Sequence, residues 1–309
     1  MLARISPRLH WTGETAPGTV WPSAPAPGQA WGLFAPAHPF DREAFEAALA
    51  RLKTWGLKVR HSPKIFRRAR HLAGPDEHRL EIMAELMADP EVGGLWAVRG
   101  GSGCQRLLPR LASLWPHWPP KPILGFSDLT ALHLARLKAA GLIGWHGPML
   151  TALGPAGSGR LAGAGLADLK AVLFHPNRAG GWEFSPRDVL RPGRARGPLL
   201  GGNLSLLVHL LDSPWLPDLA GAILLVEEVD EAPYRLDRLL TSLRQSRQWG
   251  ALGGLVFGRF TRCGASAEVK GLLRETAEAF PGPVLMNASF GHARVNRVFP
   301  VGALAELSA

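Results

Sequence analysis

The first half of the chain alternates short apolar runs with segments of helical spacing. Apolar runs at 30–35, 95–98 and 123–124 are separated by segments at 41–52 and 76–87 in which apolar residues recur every three or four positions. Such runs suit strands buried on both faces, and the longer segments suit amphipathic helices. Strands that alternate with helices form a parallel sheet with helices on both faces. The sequence therefore predicts an α/β fold for this half.

A sharp turn from strand to helix is predicted around Ser127. The apolar run at 122–124 ends in a tight turn at Gly125, a helix is expected to start near Asp128, and the residues from Ala131 to Ala140 have helical spacing. Such a turn lifts a serine hydroxyl out of the sheet and places the N–H groups of a helix N-terminus beside it. A nucleophile and an oxyanion hole require these two features. The pattern Gly-x-Ser-x-x lacks the second glycine of the ordinary hydrolase elbow, so a helix-capping serine remains the alternative reading of this stretch.

A glycine-rich loop at 100–103 follows the strand predicted at 95–98. Open parallel sheets bind their ligands at such strand ends. Arg106 stands where the third glycine of the dinucleotide-binding fingerprint would be, and the sequence has no Gly-x-x-x-x-Gly-Lys-Ser/Thr motif. We therefore discount nucleotide binding and interpret the loop as one whose N–H groups approach a substrate oxygen. An ordinary tight turn is the alternative.

In the second half, acidic residues and a histidine stand at predicted strand ends. Glu227 and Glu228 directly follow an apolar strand, and His292 lies just past the last strand. Adjacent strand residues point in opposite directions, so one glutamate can reach the histidine while the other points to solvent or holds the following loop. A histidine beside a serine can take its proton, and a carboxylate orients the imidazole. Spacing alone does not establish that these groups meet Ser127.

Changes in composition divide the chain into four parts. Proline, glycine and alanine dominate residues 1–28, and the same residue types return after 151. The predicted parts are a flexible N-terminal extension (1–28), an N-terminal α/β domain (29–150), a linker (151–175) and a second domain (176–309).

The net charge of +10 fits nucleic acid, an anionic membrane or an acidic substrate as a partner. The densest arginine clusters, at 67–70 and 187–196, are not interleaved with aromatic residues as in a single-strand binding groove, so we interpret them as solvated surface. Two distant cysteines, Cys104 and Cys263, exclude a disulfide scaffold and a cysteine-based zinc cluster. Without a signal peptide or a stretch long enough to span a membrane, a cytoplasmic protein is expected.

Six short motifs resemble, in chain order, those of the LD-carboxypeptidase family of serine peptidases. They are Arg-Gly-Gly-Ser-Gly at 99–103, Gly-Phe-Ser-Asp-Leu-Thr at 125–130, His-Gly-Pro-Met at 146–149, Gly-Gly-Asn-Leu-Ser at 201–205, Leu-Val-Glu-Glu at 225–228 and Gly-His at 291–292. The resemblance runs from about residue 31 to residue 305. It implies an N-terminal α/β sandwich domain with a parallel sheet and a C-terminal β-rich α/β domain.

The resemblance also implies a role for each matched residue. Ser127 resembles the nucleophile, Glu227 the acid that orients the base, and His292 the base. The oxyanion hole resembles the N–H groups of Gly101 and Asp128. Substrate contacts are expected at Gly100, Ser102 and Asn203, although Asn203 is equally suited to cap a helix.

Members of this family cut an amide between an L-configured centre and a C-terminal D-amino acid, typically D-alanine of a murein tetrapeptide, without a metal. We therefore expect a serine carboxypeptidase of cell-wall peptide recycling that needs no cofactor, forms a homodimer and takes a peptide with a free C-terminal D-residue. Neither a membrane nor a nucleic acid is expected as a partner. The alternatives are an amidase that detoxifies microcin-C-like peptidyl nucleotides, and a non-catalytic protein that binds anions or nucleic acid on the same scaffold.

Three positions depart from the family pattern. Ser102 stands where tyrosine is usual, Ala37 where serine is common, and Glu228 where aspartate is usual. The matched serine, glutamate and histidine are unaffected. Loop side chains shape the pocket, so these departures bear on subsite preference.

Overall fold

Two β-sheets and eight α-helices make up the part of the chain that the structure describes, which is residues 6–154, 161–176 and 179–309 of a computed structural model. The strands are β1 (Arg8–Thr15), β2 (Ala30–Phe34), β3 (Val59–Arg60), β4 (Val92–Ala97), β5 (Ile123–Gly125), β6 (Gly144–His146), β7 (Gly180–Glu183), β8 (Val189–Arg191), β9 (Arg194–Asn203), β10 (Ile223–Val229), β11 (Gly254–Thr261), β12 (Val284–Leu285), β13 (Phe299–Val301) and β14 (Ala303–Ser308). The helices are α1 (Arg42–Thr54), α2 (Asp76–Ala88), α3 (Leu108–Leu114), α4 (Leu129–Ala140), α5 (Gly163–Phe174), α6 (Leu204–Leu210), α7 (Pro233–Gln245) and α8 (Ser266–Glu278).

The six-stranded sheet has the order β13-β6-β5-β4-β2-β3. Its five strands from the first half of the chain are parallel, and β13 pairs with β6 in the antiparallel direction. Every residue of β2, β4 and β5 is buried, as expected for strands covered on both faces. The predicted α/β class with a parallel sheet is confirmed.

The eight-stranded sheet has the order β7-β1-β14-β9-β10-β11-β12-β8. Strands β9 to β12 are parallel, and antiparallel strands complete the sheet on both sides. The apolar residues at 223–226 of β10 and 255–257 of β11 are fully buried. The carboxyl ends of these two strands bring the segments that follow them side by side, which positions several groups of the site.

The flexible extension predicted for residues 1–28 is wrong for the segment that forms β1. This strand pairs with β14 and β7 in the eight-stranded sheet. Its Leu9 and Trp11 side chains are buried, and Trp11 meets Trp182 edge-on at 5.7 Å between ring centroids. The proline-rich composition around the strand hid this short alternation of apolar and polar residues.

The linker predicted for 151–175 is also different in the structure. Residues 155–160 lie outside the described part of the chain, but the segment beyond them contains helix α5. This helix buries Leu169, Val172 and Leu173, and the Leu173 carbonyl accepts a hydrogen bond from the Trp31 indole at 3.0 Å. A helix with a buried face, anchored to β2, is a packed element of the fold.

Helix α4 lies between the two sheets and begins at the predicted turn. Its residues from Leu129 to Leu137 are all buried, because it contacts strands of both sheets. The Thr130 hydroxyl accepts a hydrogen bond from the Asn203 N–H at 3.0 Å, which links the first turn of α4 to the end of β9. The helix ends at Gly141 in the left-handed conformation. This packing places the start of α4 near the carboxyl ends of the parallel strands in both sheets.

Candidate active site

Ser127 occupies a strained turn between β5 and α4. Its φ of 61° lies in the left-handed region, which non-glycine residues rarely adopt. Such strain costs about 1–3 kcal/mol and is concentrated at functional sites. The predicted strand-turn-helix is thus present, and the turn presents the hydroxyl at the end of the sheet. Ser127 does not cap α4 with its side chain, because the N-cap position belongs to Asp128.

The glycine loop packs directly against this turn. A Cβ added to Gly100 would lie 3.0 Å from the Ser127 Cβ, and one added to Gly101 would overlap the His38 ring. Gly101 also has a φ of 121°, so this position requires glycine. Throughout the described ranges, the N–H groups of Gly101 and Asp128 donate to no other group of the protein. Both predicted oxyanion donors are therefore free to bind a ligand.

His292 connects Ser127 to Glu227. Its Nε2 lies 3.1 Å from the Ser127 Oγ, and its Nδ1 lies 2.8 Å from the Glu227 Oε2. The backbone N–H of His292 also donates a hydrogen bond to the Glu227 Oε2 at 3.2 Å. With its proton on Nδ1, the imidazole donates to the carboxylate and offers Nε2 to the serine hydroxyl. The structure brings together the three groups that the sequence placed at strand ends.

The environment of His292 raises its pKa above the ordinary value. Burial opposes the charged imidazolium, but the charge and hydrogen bond of Glu227, with a contribution from Glu228, outweigh it. The Arg262 guanidinium acts in the opposite direction. The Phe126 ring packs on the imidazole with 4.7 Å between centroids, which restricts its orientation. The site is therefore built to stabilise a positive charge on this histidine.

The two adjacent glutamates leave β10 toward different partners. Glu227 is completely buried and faces His292. Glu228 accepts hydrogen bonds from the Ser205 N–H at 2.8 Å and the Asn203 Nδ2 at 2.7 Å. It is 2% exposed, so the expectation that it could point to solvent is wrong. Its carboxylate instead holds the start of α6, which follows the neighbouring strand β9.

Gly291 and Asn296 hold the loop that carries His292. Gly291 has a φ of 105°, and a Cβ there would lie 2.6 Å from the Glu227 Oε2, so only glycine lets the carboxylate approach. The Asn296 Oδ1 accepts a hydrogen bond from the Gly291 N–H at 2.9 Å, and Asn296 is buried. Asn296 is not among the residues predicted from the sequence. An asparagine in a loop carries no spacing signal, so only the fold identifies it.

A cleft of about 410 Å³ opens over Ser127 and His292. This volume lies within the usual range for small-ligand pockets. The other residues lining it are Arg99, Gly100, Gly101, Phe126, Pro148, Met149, Thr151, Ala152, Leu161, Val229, Asp230, Arg262, Ala293 and Asn296. The cleft thus combines an apolar side with three charged side chains.

Ser102 and Asn203, two of the three residues predicted to contact the substrate, do not line the cleft. Ser102 is an exposed residue of the glycine loop. Asn203 is buried and caps α6, because its Oδ1 accepts a hydrogen bond from the Leu206 N–H at 3.2 Å and its Nδ2 donates to Glu228. Both polar groups of its side chain are therefore already bonded within the protein. Gly100, the third predicted contact, does line the cleft.

Two further structural properties concern metals and membranes. Among the residues that the structure describes, no three His, Cys, Asp or Glu side chains form a group able to hold a metal ion. None of the described helices has the length and apolar character needed to cross a membrane.

Comparisons with known proteins match both halves of the chain. The model of the LD-carboxypeptidase N-terminal domain matches residues 32–147, and that of the LD-carboxypeptidase C-terminal domain matches residues 196–307. The murein tetrapeptide carboxypeptidase of Pseudomonas aeruginosa is 34% identical over 303 residues, which cover 92% of this chain and 97% of that protein. The microcin C7 self-immunity protein of Escherichia coli is 24% identical over 299 residues, covering 87% and 86%.

A solved structure also resembles the whole fold. The muramoyltetrapeptide carboxypeptidase from Oxalobacter formigenes superposes with a TM-score of 0.74 at 27% identity. The superposition covers 90% of this chain and 99% of that one. The two proteins therefore share one overall fold across that part of the chain.

Proposed function

This chain belongs to the LD-carboxypeptidase family, and we propose that it is a serine carboxypeptidase that releases a C-terminal D-amino acid, typically D-alanine, from murein tetrapeptides. The observation that supports this most is the continuous contact from Ser127 through His292 to Glu227 beneath an open cleft. Nucleophilic hydrolysis requires a serine, a base and a group that orients the base, in that connected order.

In the proposed reaction, the Ser127 Oγ attacks the carbonyl carbon of the scissile amide while His292 Nε2 accepts the hydroxyl proton. The N–H groups of Gly101 and Asp128 stabilise the oxygen that becomes negative. The carbon–nitrogen bond then breaks, and His292 gives its proton to the leaving amine. Water, deprotonated by His292, attacks the ester carbonyl and restores Ser127. Glu227 keeps the proton of the neutral imidazole on Nδ1 and stabilises the imidazolium at each stage.

The comparison with named relatives supports a murein tetrapeptide as the substrate. The relative from Pseudomonas aeruginosa that bears this activity in its name matches 92% of the chain at 34% identity. The microcin self-immunity relative matches at 24%, so the amidase acting on peptidyl nucleotides is the second candidate. A non-catalytic anion or nucleic-acid binding protein would have no use for the Ser127–His292–Glu227 arrangement.

The decisive experiment measures release of D-alanine from a murein tetrapeptide by mass spectrometry. We expect release by the wild-type protein and a loss of about 10⁶-fold in kcat for Ser127→Ala with the fold retained. A peptidyl nucleotide offered in parallel tests the second candidate. A folded Ser127→Ala protein that keeps more than about a tenth of the activity would show that Ser127 is not the nucleophile.

The cellular setting belongs to the same proposal. We place the enzyme in the cytoplasm, where it would act on peptides recovered from the cell wall, and we expect it to be a homodimer. Cell fractionation and light scattering of the purified protein test these two statements separately from the reaction.

A further inference from the structure

Two arginines line the cleft, and they follow strands of different sheets. Arg99 begins the glycine loop, and its Nη1 donates to the Pro39 carbonyl at 2.9 Å. Arg262 directly follows β11, in the sheet that also carries His292 and Glu227. Arg262 and His292 line the same cleft. Burial and the carboxylates of Glu227 and Glu228 have larger effects on the pKa of His292 than the Arg262 guanidinium, which lowers it.

Asp230 forms an ion pair with Arg262, and the two side chains are 60% and 61% exposed. The Arg262 Nε and Nη2 donate to the two oxygens of Asp230 at 2.5 and 2.6 Å. This pairing uses one edge of the guanidinium, and in the described part of the chain Nη1 donates to no other group. The second edge, formed by Nη1 and Nη2, can bind another carboxylate in two parallel hydrogen bonds.

The backbone of both residues in this ion pair is strained. Asp230 and Arg262 have φ values of 59° and 56°, so both lie in the left-handed region, as Ser127 does. These three are half of the six non-glycine residues with positive φ in the described chain, and all three line the same cleft. Strain that persists in one cleft is a sign of functional constraint. An ordinary surface ion pair would not require it.

The chemistry of an exopeptidase places a cation near the base. His292 Nε2 must protonate the nitrogen of the departing residue. The carboxylate of that residue is attached to the carbon bonded to this nitrogen, so the carboxylate lies within a few ångströms of the imidazole. The group that binds it must therefore stand on the His292 side of the cleft.

We propose that Arg262, oriented by Asp230, binds the C-terminal carboxylate of the departing D-residue and thereby restricts the enzyme to free C-termini. This inference rests on the proposed carboxypeptidase function and names the residue that makes it an exopeptidase. Arg99, on the glycine-loop side, does not contact that carboxylate.

The test compares two substrates, a tetrapeptide ending in D-alanine and the same peptide ending in D-alaninamide. The kcat/KM ratio of acid to amide is measured for the wild type, Arg262→Asn, Arg262→Lys and Arg99→Asn, with folding checked by circular dichroism. Asparagine tolerates the left-handed conformation. Both substrates are measured on the same variant at the same pH, so a changed pKa of His292 affects the two rates alike and cancels in their ratio.

We expect Arg262→Asn to lower kcat/KM for the acid by about 10- to 100-fold, the usual value of hydrogen bonds to a charged group, and to leave the amide within about threefold. Arg262→Lys should recover part of the loss, and Arg99→Asn should leave the ratio unchanged. An equal loss on both substrates in Arg262→Asn, or a collapsed ratio in Arg99→Asn, would overturn the assignment. A wild-type protein that cleaves neither peptide refutes the proposed function itself, which is a distinct result.

Discussion

The Asp128 carboxylate accepts a hydrogen bond from the Cys104 N–H at 2.8 Å, and this bond ties the nucleophile turn to the glycine loop. The two free N–H groups proposed as oxyanion donors lie on either side of this connection, one on Gly101 and one on Asp128 itself. Their spacing is therefore fixed before a substrate enters. Oxyanion stabilisation depends on such preorganised donors.

Replacing Asp128 should loosen the oxyanion site. Asp128→Ala leaves the Cys104 N–H buried without an acceptor, which should lower the free energy of unfolding by about 1–3 kcal/mol. We expect kcat to fall at least about tenfold, short of the roughly 10²–10³-fold loss seen when a donor is removed outright. Urea denaturation and steady-state kinetics measure the two effects.

Asp128→Asn is the matched control for this prediction. The amide oxygen can still accept from Cys104, so kcat should stay near that of the wild type. Burial raises the pKa of Asp128, which means that the ionised carboxylate is disfavoured in the folded state. The neutral amide avoids this penalty, and the variant should be at least as stable as the wild type. An alanine variant with wild-type kcat would contradict the proposed role.

The backbone strain at Ser127 should lower the free energy of unfolding of any variant that keeps a Cβ at this position. Ser127→Ala and Ser127→Gly both remove the nucleophile, but only glycine adopts a φ of 61° without a Cβ clash. We expect the glycine variant to be more stable than the alanine variant by about 1 kcal/mol. Urea unfolding of the two inactive proteins gives this difference. Equal stability would mean that the turn is not strained.

Replacing Glu227 should mainly lower activity, whereas replacing Glu228 should mainly lower stability. Glu227→Gln removes the charge partner of His292 and should lower kcat by about 10⁴-fold. Glu228→Gln should change kcat by less than about tenfold but lower the free energy of unfolding by about 1–3 kcal/mol, because one acceptor of the start of α6 is lost. The reverse ranking of kcat in two folded proteins would refute the assignment of Glu227.

The pH dependence of kcat/KM should report the raised pKa of His292. The reaction needs a neutral imidazole, so the rate should fall as the pH drops through that pKa, at a pH above about 6.5, the ordinary histidine value. Glu227 is the main group that raises this pKa, so the acid limb of the residual activity in Glu227→Gln should lie at lower pH. An unchanged limb would show that another group titrates.

Much of the site followed from the sequence because chemistry-bearing residues stand directly at strand ends. The motifs around Ser127, Glu227 and His292 are local, and each combines an apolar run with the polar residue that ends it. The pairing of Asp230 with Arg262 was hidden for a different reason. Each residue follows a strand, but only the neighbouring positions of β10 and β11 in the sheet bring the two side chains together.

Long-range pairing also limited the prediction of the fold. The short alternation at Leu9 and Trp11 becomes a strand because β14, almost three hundred residues away, supplies the adjacent edge. The sheet that Phe299 joins could not be inferred either, since β13 leaves the second half of the chain to pair with β6. Patterns within a window of sequence predict an element's type, whereas its partner depends on the assembled chain.

Strand β1, from the start of the chain, belongs to the eight-stranded sheet, and β13, from near its end, belongs to the six-stranded sheet. Neither half of the chain therefore contains all the strands of its sheet. A fragment limited to residues 32–147 would lack β13 beside β6, and one limited to 196–307 would lack β1 beside β14. Each fragment would then expose the backbone of an open sheet edge, which is a template for self-association. The two matched stretches therefore do not correspond to two self-contained sheets, because each sheet is completed by a strand that lies outside its matched stretch.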